Sequence, residues 1–172
     1  LAYGQIGPDG PLYHILSSMG YTDTDFQWFR DNAETPDILG YNYYPDLEAI
    51  TSAEASISAE ARERLFRDLT ELHVEFGLPV YVTETSSGLT DEKKIQWVRA
   101  LCELCKQARE QELPLRGINW WPLFETIQWD YRDNSKSVED CIVPGGWNNG
   151  LYAIHKEPGA SLERIPTGAV AE

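Results

Sequence analysis

The residue best placed to do chemistry is Glu84. It follows a short β-branched run, Val80-Tyr81-Val82-Thr83, and precedes the small polar turn Thr85-Ser86-Ser87-Gly88. A carboxylate at the end of a buried strand is costly unless it has a partner or a task. In α/β proteins that end of the strands is also where ligands bind. Two further sets of polar and aromatic residues close other strand-like runs. Asn42, Tyr43 and Tyr44 end DILGYNYYP, and Trp120, Trp121, Glu125, Gln128, Trp129 and Tyr131 follow RGINWWPLF. Aromatics gathered at strand ends suit a cleft that stacks sugars or other rings. Cys102 and Cys105 form a C-x-x-C, but within a helical pattern and without a second Cys/His pair, so they read as packed thiols on a helix face and no metal is expected. His14 and His73 have no partner at ligand spacing and read as structural.

The elements that must position these groups are legible in order. Punctuation at Gly4, Gly7, Pro8, Gly10 and Pro11 precedes a short helix near Leu12–Met19, and Thr22–Asn32 is a second, capped helix ended by Pro36. Asp37–Pro45 is a strand, and Asp46–Ile57 a long loop. Ser58–Phe76 has apolar residues at Ala61, Leu65, Leu69, Leu72 and Phe76, the spacing of an amphipathic helix, with Gly77 as its terminator. The Glu84 strand follows. Thr90 caps a long helix to about Gln111, whose expected buried stripe is Ile95, Val98, Cys102, Cys105 and Ala108, widened by Leu101. Arg116–Phe124 is a third strand and Arg132–Asn149 a long polar loop containing Cys141. Gly150–Ile154 is a short strand, and Gly159–Glu172 opens a last helix. Strands alternating with helices imply a parallel sheet with right-handed crossovers. No phosphate-binding glycine motif follows any strand. Polar or acidic residues end all three main strands, as the catalytic face of a (β/α) barrel requires.

Composition narrows the partners. The chain has 172 residues, 42% of them hydrophobic, enough for one core and hence one domain over residues 1–172. A formal net charge of −14 argues against nucleic acid or an anionic membrane as partner. No apolar run approaches a membrane span. Three cysteines, an odd number, fit a reducing compartment, the cytoplasm. The opening Leu1-Ala2-Tyr3-Gly4 carries no start-of-domain signal, and the chain reads as a piece of something longer.

Three separated segments together resemble the retaining β-glycosidases of glycoside hydrolase family 1, the β-glucosidase family. DILGYNYYP (Asp37–Pro45), LPVYVTETSSG (Leu78–Gly88) and INWWPLFETIQW (Ile118–Trp129) are similar to its sixth, seventh and eighth strands, in order and with helices of the expected length between them. The resemblance implies the C-terminal part of a (β/α)8 TIM barrel, about two-fifths of a family member. It implies Glu84 as the nucleophile and Tyr44 as the donor to its carboxylate. Asn42 would contact substrate near the reacting centre, Trp121 would lie under the sugar ring, and Gln128 and Trp129 would line the subsite for the nonreducing end. Such an enzyme needs an ionised carboxylate and a second carboxyl about 5–5.5 Å away as acid, then base. A hydroxyl donor favours the ionised form.

This chain departs from the family pattern at two places and lacks one part. Thr85-Ser86 replaces the Asn-Gly after the nucleophile, and Gln128 replaces an acidic sugar-binding residue. The N-E-P segment that bears the acid/base does not occur. Glu125 and Asp130 are the nearby alternatives, Glu125 at a position that in the family usually has a supporting role. The resemblance therefore implies a parent hydrolysing β-glycosidic bonds with no cofactor, its partner a carbohydrate, and a fragment inactive by itself. Two alternatives stay open: a noncatalytic carbohydrate-binding barrel of the same ancestry, and a retaining glycosidase from another family of the same clan. Three parallel strands cannot close a barrel, which predicts self-association or pairing with the missing N-terminal part.

Overall fold

The computed structural model describes residues 7–45, 59–88, 90–125, 149–155 and 161–171, in two compact units divided between Asp37 and Ile38. The first holds α1 (Pro11–Ser18) and α2 (Asp23–Asp31). Thr22 caps α2 in a reciprocal box: its main-chain N–H donates to Asp25 Oδ2 at 2.7 Å and its hydroxyl accepts from the Asp25 N–H. Phe26 is fully buried, with the rings of Tyr13 and Tyr21 against it.

The second unit contains β1 (Leu39–Asn42), α3 (Ala59–Phe76), β2 (Val80–Thr85), α4 (Asp91–Glu110), β3 (Leu115–Trp120), β4 (Tyr152–His155) and β5 (Glu163–Pro166). The first three strands form a parallel sheet in the order β1-β2-β3, as strands joined by helices must. Gly77, in the left-handed region at φ 68°, ends α3, and the Thr90 hydroxyl accepts from the Lys93 N–H at the start of α4. His73 is a satisfied structural residue, its Nδ1 2.9 Å from the Leu78 carbonyl. The core lies between this sheet and the two long helices, with Leu65, Leu69, Val80, Val82, Trp97 and Leu104 all fully buried. No helix among the described residues is long and apolar enough to cross a membrane.

Three expectations need correction. The buried residues of α4 are Lys94, Trp97, Leu101, Leu104 and Ala108, while Cys102 and Cys105 are exposed. Both sets recur at helical spacing. Trp97 decides between them, because burying its ring gains more than burying a thiol and it seats against Tyr43, centroids 6.0 Å apart. The segment expected as a last helix instead forms β5, antiparallel to β4, before a short 3-10 turn at Gly168–Ala171. Pro166 cannot donate to a helical ladder, whereas at the end of an edge strand its missing N–H costs nothing. The third strand stops at Trp120, and Phe124 makes only an isolated bridge to Tyr152. The loops expected at Asp46–Ile57 and Arg132–Asn149, with Cys141, lie outside the described residues apart from Asn149.

Candidate active site

Glu84, Tyr44 and Asn42 meet where β1 and β2 end. Along β1 the side chains alternate, so Tyr43 enters the core at 4% exposure while Tyr44 projects from the opposite face. There the Tyr44 hydroxyl donates to Glu84 Oε2 at 2.8 Å. Burial, then the hydrogen bond to Glu84 and its negative charge, push the Tyr44 phenol well above its ordinary 10.0. Tyr44 is therefore a donor, never an anion, across neutral and moderately basic pH.

Asn42 stands directly opposite Glu84 in the sheet register. It is exposed, and its Oδ1 accepts from the Thr83 hydroxyl at 2.6 Å. On the far side of β2 the Trp121 N–H donates to the Thr85 carbonyl at 2.9 Å, and the Tyr43 N–H donates to the Glu84 carbonyl at the same distance. Glu84 is thus bracketed by main-chain bonds to both neighbouring strands. Trp121 is half-buried one strand over, and Trp120 is turned away, its indole N–H donating to the Asn149 carbonyl at 2.9 Å. Gln128 and Trp129 lie outside the described residues.

Glu125 is occupied elsewhere: its Oε2 accepts from the Ile154 N–H at 3.0 Å and ties β4 to the end of the third strand. That bond gives it a supporting place. No group of three or more metal-ligating side chains occurs among the described residues.

The turn after Glu84 is legible in Thr85-Ser86-Ser87-Gly88, but its burial is not. Thr85, Ser86 and Ser87 are fully buried. The Trp97 indole N–H donates to the Thr85 hydroxyl at 2.9 Å, and Asn149 Nδ2 donates to Ser86 Oγ at 3.2 Å. Three small hydroxyl residues after a strand look like a solvated turn. The available signal was a Trp twelve residues on, in the first turns of the next helix.

Comparison with solved structures finds β-glucosidases and a β-glycosidase among the chain's neighbours. The β-glucosidase from Thermotoga maritima in complex with castanospermine matches with a TM-score of 0.66 and 16% identity, over 98% of this chain and 40% of that one. The family 1 β-glucosidase from Exiguobacterium antarcticum B7 matches with a TM-score of 0.63 and 15% identity, again over 98% and 40%. The β-glycosidase BGL167 matches with a TM-score of 0.56 and 16% identity, over 86% and 36%. No protein-family model and no curated protein matches the chain. The chain spans about two-fifths of the length of the structures it resembles, and its fold is the C-terminal part of their (β/α)8 barrel.

Proposed function

We propose, from the premise that this chain has the fold of the C-terminal part of a family 1 β-glucosidase barrel, that it supplies the nucleophile side of a retaining β-glycosidase. The observation that carries the reading is the 2.8 Å bond from the Tyr44 hydroxyl to Glu84 Oε2 at the C-terminal ends of adjacent parallel strands. That is the face on which barrels of this kind do chemistry.

Glu84, as the carboxylate, attacks the anomeric carbon of a bound β-glycoside and displaces the aglycone, forming a glycosyl ester. Tyr44 donates to the oxygen that does not attack, which holds the carboxylate in one orientation. A second carboxyl protonates the departing oxygen, then takes a proton from the water that cleaves the ester. Glu125 is engaged with Ile154 and the N-E-P segment does not occur in this sequence, so that group is expected on another strand of a completed barrel. Asn42 ends the strand on one side of Glu84 and Trp121 follows the strand on the other, suited to a sugar hydroxyl and a sugar face respectively.

The test is release of the aryl group from an aryl β-glycoside by an eight-stranded barrel that contains this chain, beside its Glu84→Gln variant. Turnover that disappears with Glu84→Gln supports the reading. Turnover that survives it, or a completed barrel that binds sugar without turnover, overturns it. The second outcome leaves the noncatalytic carbohydrate-binding barrel.

A further inference from the structure

Regular strand geometry does not put Glu84 where it is. Val80 and Val82 face the helices and are fully buried, so strict alternation would turn Glu84 to the same side and Thr85 away from it. The reverse is found: Thr85 is buried against α4, and Glu84 meets Tyr44 on the opposite face. The register explains how. Tyr41 pairs with Val82 but Asn42 pairs with Glu84, leaving Thr83 as an extra residue, and the pairing with β3 also slips between Val82 and Thr85. One inserted residue reverses the alternation beyond it.

We infer that Trp97 holds this reversal in place: its indole N–H, donated to the Thr85 hydroxyl, keeps Thr85 turned to the helices and Glu84 turned to Tyr44. Trp97 is thereby a positioning residue for Glu84. The inference rests on the reading of Glu84 as the nucleophile, but its geometry is independent of any turnover.

Three features support it. Both residues are fully buried, so neither polar group can turn to water if the other is lost. An indole can only donate, and the Thr85 hydroxyl is the acceptor that faces it, so the pair cannot exchange roles with a neighbour. The bonds from Tyr43 and Trp121 lie within the sheet and tether the main chain sideways. The Trp97 contact comes from the helix layer, across the sheet, and acts on the direction in which residue 85 points.

The experiment uses the chain itself, with a fluorinated tyrosine at position 44 whose phenol ionises nearer neutrality, followed by its 19F resonance during a pH titration. Glu84→Gln sets the downward shift produced by losing the carboxylate. Thr85→Val keeps the shape of residue 85 and removes the acceptor. It is expected to move the phenol titration down by most of the Glu84→Gln shift and to displace the Trp97 indole N–H resonance. Thr85→Ser is expected to restore both. A merely structural contact would lower the melting temperature without moving the phenol titration of the folded chain. If Thr85→Val, still cooperatively folded, leaves the 19F titration at the parent position, the inference is overturned. Should Thr85→Val not fold, Trp97→Phe is read against the same two standards. Absence of glycoside turnover in a completed barrel would remove the nucleophile reading and leave this result intact.

Discussion

The Tyr44 hydroxyl reaches Glu84 Oε2 at 2.8 Å from the neighbouring strand, joining two residues forty positions apart in sequence. Beyond burial, the bond and the charge of Glu84 raise the Tyr44 phenol, so removing either residue is informative.

Tyr44→Phe tests that coupling through stability. The phenol is raised in the folded chain above its ordinary 10.0, by burial first and then by Glu84, so between about pH 10 and the folded value the native state holds a proton that the unfolded state has lost. Tyr44 therefore contributes stability in full below about pH 10, and that contribution falls as pH rises further. Denaturant midpoints measured from pH 8 upward should decline beyond about pH 10 in the parent and decline less in Tyr44→Phe. In a completed barrel the same substitution should lower kcat about tenfold or more, the effect of losing a hydrogen bond to a charged group. An unchanged alkaline profile would contradict the coupling.

Glu84→Gln should preserve the fold and abolish glycosyl transfer. The amide oxygen can still accept from Tyr44, so the melting temperature should move little. In a completed barrel, turnover of an aryl β-glycoside should drop on the order of 10⁴-fold or more, as when other enzymic nucleophiles are removed. The chain with no added strands should show no turnover with either residue at position 84. Steady-state kinetics beside a thermal melt distinguishes these outcomes.

Two glycines in the sheet have no room for a side chain. A Cβ at Gly117 would lie 2.7 Å from Cε2 of Tyr81, and one at Gly40 would lie 2.7 Å from Cγ2 of Thr83. Gly117→Ala and Gly40→Ala should each destabilise by about 1–3 kcal/mol, the usual cost of overpacking. Gly7→Ala, with nothing within 4 Å of the added carbon, should be near neutral. Urea unfolding would show the contrast as a lowered midpoint for the first two variants. Gly40→Ala should also disturb the pairing of Thr83 with Asn42, visible as a change in the Asn42 side-chain amide resonances.

The three-stranded sheet leaves β1 and β3 with β2 as their single strand partner among the described residues. Parallel strands with open edges invite further pairing. The chain in dilute buffer should therefore run as more than one copy in light scattering, with the proportion of assemblies rising with concentration. A monodisperse single copy with one cooperative calorimetric transition would refute this.

Much of the architecture follows from sequence alone because it rests on local rules. Thr22 and Thr90 announce helix starts through the hydroxyls their first turns need, and Gly77 announces an end through the left-handed backbone it tolerates. A β-branched run closed by Glu84 is enough to name that residue, whereas Tyr44 is picked out through the family resemblance. Sequence could not choose between two adjacent faces of α4, since Trp97 and Cys102 lie on overlapping stripes of one helical period and only the fit against Tyr43 and Thr85 separates them. It could not give Glu163–Pro166 a strand partner, because four residues gain extended structure only from the pairing with Tyr152–His155. Nor could it foresee that Thr83 is the extra residue that turns Glu84 to the face of Tyr44. That turn is a register between three strands whose residues are far apart in the chain, and a register exists only once the strands are side by side.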